Sequence, residues 1–309
     1  MDIGFIGLGN MGWPMASRLA QHGYPVIVYD IRREAVASFQ DAHPGAGVGS
    51  DPADVAARCE VVLASLPTPE SVRETALGHR GVAEGGRARV YIDLSTVGPS
   101  TMQQVAEGLH ARGLRVLDAP VSGGVPGARQ GTLTVMASGP RDLWEEHKPI
   151  LEVLGRRLFY AGPEPGQAQM LKLVNNLLSA TAMAASAEAF VLGVKAGLDP
   201  EVMVEVINSG SGRNSATLDK MGQYILNRRF DYGFKTGLMY KDVDLCLQEA
   251  RRMGMPMWVA SHIHQVWHFA VTQGLADEDF TTIVKPFEAW AKVEVFSQEG
   301  PTSFGKKSL

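Results

Sequence analysis

The sequence predicts an α/β fold in which a doubly wound parallel sheet is followed by an all-helical domain. Short, almost wholly apolar runs alternate with helical segments over the first half of the chain, which is typical of parallel strands covered on both faces. Beyond residue 166, Ala, Leu, Met and Ser prevail without proline for about thirty residues, which is typical of a long helix. With 309 residues the chain has room for two domains.

The composition is that of an ordinary globular protein, with 45% hydrophobic and 20% charged residues and a formal net charge of −4. This balance indicates neither a nucleic-acid partner nor an anionic membrane. Cys59 and Cys246 lie far apart and lack C-x-x-C spacing, so we expect two reduced, buried thiols. The first predicted strand starts at residue 2 and leaves no room for a signal peptide, so the expected location is cytoplasmic. The apolar run over residues 177–194 is interrupted by Glu188 and two serines, which favours a buried helix over a membrane span.

The first element is a strand at residues 3–6, and it leads into the turn Gly7-Leu8-Gly9-Asn10-Met11-Gly12 and then a helix. A second strand at residues 26–29 ends on Asp30, 18 positions after Gly12. A glycine pattern at a strand-to-helix turn, with an acidic residue after the next strand, predicts a dinucleotide site of Rossmann type. Gly7 permits the tight turn, Gly9 lets the backbone approach a pyrophosphate, and Gly12 lets helix and strand pack closely. The alternative is a glycine-rich turn without a ligand.

The elements after Asp30 continue the alternation of helix and strand. Asp51-Pro52 is typical of an N-cap followed by proline at the first helical position. Five further apolar runs predict strands, at residues 61–66, 90–94, 115–119, 132–136 and 157–160. Residues 1–162 therefore form the predicted doubly wound domain.

The second half of the chain is predicted to be helical throughout. A helix of about thirty residues over 167–196 is expected to join the two domains, within a connecting segment of residues 163–196. Further helices are predicted at residues 200–207, 215–227, 237–253, 256–273 and 278–295, the last with a break or kink at Pro286. These make a helical C-terminal domain of residues 197–296, and residues 297–309 are expected to be a flexible tail.

Four polar residues on the long helix form one stripe across an otherwise apolar element: Lys172, Asn175, Asn176 and Ser179 stand at i, i+3, i+4 and i+7. Burial would disfavour the charged ammonium and lower the pKa of the lysine, so that it could exchange a proton with a substrate hydroxyl. The alternative is a solvated face of an amphipathic helix.

Two further segments lie where predicted strands end. Ser122, Gly123 and Gly124 would present a hydroxyl and successive backbone N–H groups, a concavity suited to a carboxylate. Thr96 follows another strand at the same edge of the sheet and could contact nicotinamide or substrate. The alternatives are a simple Gly-Pro turn in the first case and a helix cap in the second.

These segments together resemble the β-hydroxyacid dehydrogenase family, and the resemblance runs over nearly the whole chain. The turn at residues 7–12 with Met15-Ala16 is similar to the family's cofactor signature, and the segment 118–124 is similar to its substrate-binding signature. Gly166 through Lys172 to Asn175-Asn176 is similar to the catalytic signature, and Lys241-Asp242 to a late Lys-Asp pair near the cofactor. Two positions depart from the pattern, because Ala168 and Ser138 stand where the family usually has glycine.

The resemblance implies an NAD-dependent oxidoreductase that oxidises the hydroxyl of a small 3-hydroxy carboxylic acid, 3-hydroxyisobutyrate-like or serine-like. Lys172 would be the catalytic acid/base, and no metal would be needed. The implied substrate contacts are Ser122, Gly123, Gly124, Asn176 and Thr96. The implied cofactor contacts are Gly7, Leu8, Gly9, Asn10, Met11, Gly12, Asp30, Leu66, Pro67, Thr96 and Lys241.

Asp30 favours NAD, because an acidic side chain there accepts hydrogen bonds from ribose hydroxyls and repels a 2′-phosphate. Arg32 and Arg33 follow closely, so NADP stays possible. Two other functions stay open: an NADPH-dependent reductase of a small aldehyde acid, and a non-catalytic dinucleotide-binding regulatory module. The family's members are usually dimers or tetramers, so a homodimer or homotetramer is expected.

Three features of the helical half have two interpretations each. The loop with Arg213 and Asn214 could line a polar substrate pocket or cap the next helix. His264 and His268 have metal-ligand spacing, but no H-E-x-x-H motif or nearby carboxylate completes a site in the sequence, so no metal is expected. Trp258 and Trp267 are interpreted as packing residues at a subunit contact.

Overall fold

The computed structural model describes residues 1–297 and divides into two compact units. Unit 1 is Met1–Leu173, and unit 2 begins at Val174. The boundary falls inside one long helix, α8, Gln167–Lys195. The predicted connecting helix is therefore a single element, and its first turns belong to unit 1.

Unit 1 is built on a nine-stranded sheet. The strands are β1 Ile3–Ile6, β2 Val26–Tyr29, β3 Gly47–Val48, β4 Val61–Ala64, β5 Val90–Asp93, β6 Arg115–Asp118, β7 Val121–Ser122, β8 Leu133–Ser138 and β9 Gly155–Gly162. Their order is β3-β2-β1-β4-β5-β6-β8-β7, with β9 paired to β8. From β3 to β6 all neighbours are parallel, so the carboxyl ends of β1, β2, β4, β5 and β6 meet at one edge.

One strand departs from the predicted parallel arrangement: β8 runs antiparallel to β6 and β7. The connection before β8 contains only the seven-residue helix α6, Gly124–Gln130, about 10 Å long. That is half of the roughly 20 Å that a six-residue strand spans, so the chain cannot return to the start of the sheet before β8 begins. The two-residue strands β3 and β7 were not predicted either.

Helices cover both faces of this sheet, as the unbroken apolar strands predicted. They are α1 Gly12–Gln21, α2 Arg33–Ala42, α3 Pro52–Arg58, α4 Pro69–Leu77, α5 Pro99–His110, α6 and α7 Arg141–Leu154, with a short 3₁₀ turn at Val82–Glu84. Successive strand residues enter opposite layers: Phe5 packs in one buried cluster and Ile6 in the other. The N-cap of α3 is confirmed, because Asp54 N donates to Asp51 Oδ1 at 2.8 Å.

The described part of unit 2 is helical, as predicted. It consists of the rest of α8, α9 Pro200–Ser209, a π-helical segment Thr217–Ile225, α10 Thr236–Arg252, α11 Trp258–Ala270 with a π-helical end Val271–Leu275, a 3₁₀ turn Phe280–Ile283 and α12 Val284–Ala291. The helix predicted over 278–295 is shorter, spanning Phe280–Ile283 and Val284–Ala291, and it changes type before Pro286 rather than breaking there. Pro286 lies instead in the first turn of α12, where a missing N–H is tolerated. The predicted tail beyond Ser297 lies outside the described residues.

Helix α8 is long and apolar enough to cross a membrane by length and composition, with a mean hydropathy of 1.6 in its most apolar window. Core helices of globular proteins pass the same test. Within unit 2, Met183, Ala187 and Phe190 of α8 are buried in a cluster that also contains Trp267 and Phe280. This face of the helix is therefore part of the core of unit 2, as the sequence predicted for residues 177–194.

Candidate functional site

The glycine turn after β1 has the conformation that a dinucleotide turn requires. Gly7 has φ 94°, and a Cβ there would lie 2.3 Å from Ser65 O. A Cβ on Gly12 would lie 1.9 Å from Gly7 O, so helix and turn pack too closely for any other residue. A Cβ on Gly9, in contrast, would meet no atom within 4 Å, which leaves the backbone open to a ligand. Helix α1 starts here, and Met11 at the N-cap position provides no side-chain acceptor for its first N–H groups, as at a helix N-terminus that binds a phosphate.

Asp30 follows β2 and is tied to the glycine turn. Its Oδ2 accepts from Leu8 N at 2.7 Å, and its Oδ1 accepts from Arg32 N at 2.8 Å and Arg32 Nε at 3.0 Å. Partial burial alone would raise the pKa of this carboxyl, but the hydrogen bonds from Arg32 and Leu8 outweigh burial and hold the pKa below its ordinary value. Asp30 is therefore charged at neutral pH, and Arg32 is bound to it.

The loops after β4 and β5 are joined by hydrogen bonds at the same edge of the sheet. Leu66 N donates to Ser95 Oγ at 2.9 Å, and Ser95 N donates to Asp93 Oδ1 at 2.8 Å. Tyr91 donates its phenol proton to Asp93 Oδ2 at 2.9 Å, and burial is the largest cause that raises the pKa of Tyr91. The predicted contacts Leu66, Pro67 and Thr96 thus lie on two adjoining loops. Gly98, not Thr96, is the N-cap residue of α5.

Asp118, at the end of β6, is fully buried and receives four hydrogen bonds. Oδ1 accepts from Gln169 Nε2 at 2.7 Å, and Oδ2 accepts from Gly166 N at 3.0 Å, Gln169 N at 3.2 Å and Ser138 Oγ at 3.1 Å. Burial raises the pKa of Asp118 to about 7, against the lowering effect of these donors, and the neighbouring Asp93 raises it further. This carboxyl therefore holds the first turn of α8, and with it the segment that carries Lys172.

The predicted polar stripe on α8 divides by burial. Lys172 is only 7% exposed and Asn176, one turn further along the helix, only 5%, whereas Asn175 is exposed and Ser179 is half-buried. A solvated polar face is thus excluded for Lys172 and Asn176. Burial of an ammonium without loss of its proton is costly, so a lysine in this position is a candidate for proton transfer.

The segment Ser122, Gly123 and Gly124 turns from β7 into α6. Gly123 has φ 129° and Gly124 has φ 63°, both in the range that favours glycine. Ser122 pairs with Thr134 of β8 and is half-buried, and Gly123 is exposed. Gly123 is therefore in contact with solvent at this turn, so a carboxylate could approach it.

Within unit 2, the carboxylate of Asp242 orients the side chain of Asn176. Asn176 Nδ2 donates to Asp242 Oδ2 at 2.6 Å, and Asn175 Nδ2 donates to Asn176 Oδ1 at 3.1 Å. Lys241 Nζ forms an ion pair with Asp242 Oδ1 at 3.2 Å. The Lys-Asp pair seen in the sequence is thus a contact in the structure, and it fixes which way the Asn176 amide faces.

The two other candidate sites of the helical half, the loop with Asn214 and the pair His264 and His268, form contacts within unit 2. Asn214 Oδ1 accepts from Ala216 N at 2.8 Å and Thr217 N at 3.2 Å, so Asn214 caps the helical turn that leads into the π-helical segment, while Arg213 is exposed. Asp244 contacts His264 Nε2 at 3.0 Å, a carboxylate that the sequence did not place there. Within residues 1–297 no group of three His, Cys, Asp or Glu side chains is arranged to hold a metal ion.

Tryptophan and cysteine positions divide by exposure. Trp267 is fully buried in the core of unit 2, so its interpretation as a subunit contact is wrong, and Trp258 is 80% exposed. Both cysteines are free and buried, as predicted. Burial raises the pKa of Cys59 to about 11, which makes its thiol unreactive at neutral pH.

Ala168 and Ser138, the two departures from the family pattern, are hydrogen-bonded to each other. Ala168 N donates to Ser138 Oγ at 2.9 Å, and the same hydroxyl donates to Asp118 Oδ2. Sequence reasoning treated them as separate loop changes, because residues 30 positions apart carry no sign of their proximity. Gln169 was missed for the same reason, since its partners come from the ends of two strands.

Two family models match the chain. Residues 2–162 match the NAD-binding domain of 6-phosphogluconate dehydrogenase, and residues 166–287 match the NAD-binding domain described for NADP-dependent 3-hydroxyisobutyrate dehydrogenase. Together they cover both units, and they agree with the glycine turn and the helical second half.

Individual relatives match over most of their length. The chain is 37% identical to 2-(hydroxymethyl)glutarate dehydrogenase of Eubacterium barkeri, over 96% of this chain and 97% of that protein. It is 41% identical to 3-hydroxyisobutyrate dehydrogenase of Pseudomonas aeruginosa, over 81% and 85%. A solved structure, Mycobacterium tuberculosis 3-hydroxyisobutyrate dehydrogenase with L-serine, is 33% identical with a TM-score of 0.82, over 92% and 98%.

Proposed function

The chain belongs to the β-hydroxyacid dehydrogenase family of NAD(P)-dependent oxidoreductases, and on that premise we propose that it oxidises a 2-substituted 3-hydroxypropionate with Lys172 as the acid/base. The substrate class follows from the relatives: 3-hydroxyisobutyrate, L-serine and 2-(hydroxymethyl)glutarate all carry a CH₂OH group on the carbon next to a carboxylate. They differ only in the third substituent of that carbon, which is methyl, ammonium or carboxyethyl. The site therefore has to recognise the hydroxymethyl and the carboxylate.

One observation carries this proposal: Lys172 and Asn176 are both more than nine-tenths buried and stand one turn apart on an otherwise apolar helix. In this proposal the neutral Lys172 amine accepts the hydroxyl proton as the C–H hydride leaves for the nicotinamide. In the reverse direction the Lys172 ammonium returns that proton to the forming alkoxide. Asn176 is positioned to hold the substrate oxygen, with its amide fixed by Asp242.

The carboxylate is assigned to the turn at Ser122, Gly123 and Gly124. A hydroxyl followed by the N–H groups of two glycines with positive φ is a chemistry suited to an anion. Anchoring the carboxylate fixes which carbon faces the nicotinamide, and such positioning contributes as much to rate as proton transfer does.

The test is a panel of hydroxy acids with each cofactor, followed by the absorbance of reduced nicotinamide. We expect turnover with one or more of 3-hydroxyisobutyrate, L-serine and 2-(hydroxymethyl)glutarate, and no comparable turnover with a 2-hydroxy acid such as lactate. Activity confined to 2-hydroxy acids would contradict the substrate class. Cofactor binding without turnover on any acid would favour the regulatory module.

For the cofactor we propose a preference for NAD. Asp30 is charged and lies beside the glycine turn, where it can accept from ribose hydroxyls and repel a 2′-phosphate. One observation favours the alternative of an NADPH-dependent semialdehyde reductase: the Arg32 guanidinium lies against Asp30 and its side chain is half exposed, so it could turn to a 2′-phosphate. The ratio of kcat/KM with NAD to that with NADP separates the two.

For assembly we propose a homodimer or homotetramer formed through unit 2. Large apolar side chains are exposed there, among them Leu192 at 71%, Val206 at 64% and Trp258 at 80%. Single exposed apolar residues are ordinary, but several on helices of one unit are typical of a subunit contact. The solution mass by light scattering tests this, and a monomeric mass for the wild type would contradict it. Leu192→Glu should lower the mass of the oligomer.

A further inference from the structure

A buried polar cluster ties the start of α8 to the sheet, and it lies wholly within unit 1. We call it the helix-start cluster: the side chains of Asp118, Ser138 and Gln169 together with Gly166 N. An acidic group at a helix N-terminus accepts from N–H groups that have no partner inside the helix and also interacts favourably with the helix dipole. Asp118 does both for a helix of 29 residues.

Gln169 is the member of the helix-start cluster with contacts in two directions. Its Nε2 donates to Asp118 Oδ1 at 2.7 Å and to Ser95 O at 2.9 Å. Its Oε1 accepts from Val97 N at 2.8 Å and Gly98 N at 3.1 Å. All hydrogen-bonding positions of the amide are thereby used, and the side chain is fully buried. Gln169 thus joins β6, α8 and the loop that contains Thr96.

The position of Gln169 on the helix makes this connection relevant to chemistry. Lys172 stands three residues further along α8, which corresponds to a rise of about 4.5 Å and to a neighbouring place on the helix surface. Any shift of the first turn of α8 therefore moves Lys172. Because the same amide also fixes the backbone on both sides of Thr96, it sets the two residues relative to each other.

We propose that Gln169 is a positioning residue for the dehydrogenase reaction, which clamps the first turn of α8 between Asp118 and the loop at residues 95–98 and so sets where Lys172 stands. This inference rests on the proposed role of Lys172 in proton transfer. Ser138 strengthens the clamp, because its hydroxyl accepts from Ala168 N and donates to Asp118. A glycine at residue 138 would provide neither hydrogen bond.

The hydrogen-bond pattern permits the carboxylate of Asp118 and the amide of Gln169 to be exchanged. Within residues 1–297, Oδ2 of Asp118 accepts from three donors, but Oδ1 accepts only from Gln169 Nε2. In Asp118→Asn the new amide nitrogen would replace Oδ1 and face the donor Nε2. In Gln169→Glu two carboxylate oxygens would face each other. In the double variant an amide again faces a carboxylate with the direction of donation reversed, and only Ser95 O loses its donor.

The experiment measures kcat and the Kd for NAD in both single variants and in the double variant. Each single variant is expected to lose kcat by about 30-fold or more with a Kd for NAD within about threefold, because misplacement by about 1 Å can reduce a rate about 100-fold. The double variant is expected to recover kcat to within about fivefold of the wild type. Thr101→Val is the matched control, since Thr101 is also buried in unit 1 but its hydroxyl accepts from Arg73 Nη1.

Wild-type kcat in a folded Gln169→Glu variant would overturn the inference. A second result would also overturn it: kcat and NAD binding are both lost in a single variant, and kcat is not recovered in the double variant. That result would indicate a general structural role. If a single variant does not fold, Ser138→Ala decides: kcat reduced about threefold or more with unchanged Kd for NAD supports the clamp, and unchanged kcat overturns it. Lys172→Met in parallel separates the two proposals. Full activity of Lys172→Met would contradict the acid/base role of Lys172. If Lys172→Met is inactive and Gln169→Glu is active, only the positioning role of Gln169 is contradicted.

Discussion

Two aspartates at the carboxyl ends of parallel strands have opposite electrostatic surroundings. Asp30, after β2, is partly buried beside the Arg32 guanidinium, and its pKa lies below the ordinary value. Asp118, at the end of β6, is fully buried, receives hydrogen bonds from uncharged donors, and has a pKa raised to about 7 by burial. Both lie where a parallel strand ends, and they differ in the extent of their burial and in the presence of a cation.

The difference indicates that Asp30 can bind a ligand, whereas Asp118 stabilises the folded protein. A carboxylate with a cation beside it stays charged even where little of it is exposed, so it can select a ribose or repel a phosphate. A carboxyl that is buried without a cation is stable only if donors surround it, so its loss disturbs everything bound to it. Four predictions test this contrast, from the largest expected effect to the smallest.

Asp118→Ala should destabilise the protein by about 3 kcal/mol or more, because it leaves several buried donors without an acceptor. Asp30→Ala should cost less than about 1 kcal/mol, since Arg32 can turn to water. Urea unfolding of both variants beside the wild type measures the two values. Equal losses would show that the two aspartates do not differ as described.

Asp30→Ala should shift cofactor preference, with the NADP to NAD ratio of kcat/KM rising about 30-fold. The variant removes the carboxylate that repels a 2′-phosphate and releases Arg32 to bind it. Steady-state kinetics with both cofactors measure the ratio, and Asp41→Ala on the exposed surface is a control of equal charge change. An unchanged ratio would remove Asp30 from cofactor selection.

The stability contributed by Asp118 should fall as pH rises. Its pKa is about 7 in the folded protein against an ordinary value of 3.8, so the folded state binds the extra proton between those values. That stability is fully present below about pH 4 and lost as pH rises through about 7, with a slope of at most about 1.4 kcal/mol per pH unit. Urea unfolding from about pH 5 to about pH 8 should show a flatter dependence in Asp118→Asn than in the wild type. Parallel curves would contradict the raised pKa.

Asp30 should show the opposite sign and a smaller effect. Its lowered pKa in the folded state means that its contribution is present above the ordinary value and lost as pH falls through the folded value. The free energies of unfolding of the wild type and of Asp30→Asn should therefore differ at neutral pH and converge only in acid, by less than about 1 kcal/mol. The same urea series, extended below about pH 4, measures it, and a difference that appears only above neutral pH would contradict the sign.

Elements with a long pattern were predicted from the sequence, and elements fixed by distant contacts were not. The apolar strands, the glycine turn and the 29-residue helix all carry a local pattern. The two-residue strand β7 and the reversal of β8 carry none, because they depend on the length of the connection before β8. The divided burial of the α8 stripe was also outside the reach of the sequence, since all four polar residues fit one helical face.

The candidate site shows the same division. Residue types at strand ends and helix starts pointed to Gly7–Gly12, Asp30, Ser122 and Lys172. The long-range contacts of Gln169 and Asp242 have no local signal, although the Lys241-Asp242 pair itself was noted in the sequence. Gln169 contacts Ser95 across 74 residues, and Asp242 contacts Asn176 across 66. Such partners are set by topology, so only the folded chain reveals them.

The measurement that tests the central claim most directly is turnover of Lys172→Met on the best hydroxy acid of the panel, with the Kd for NAD measured on the same sample. Loss of the acid/base predicts a fall in kcat of about 100-fold to 10,000-fold with NAD binding nearly unchanged. Turnover within about threefold of the wild type, in a folded variant that binds NAD, would contradict the account.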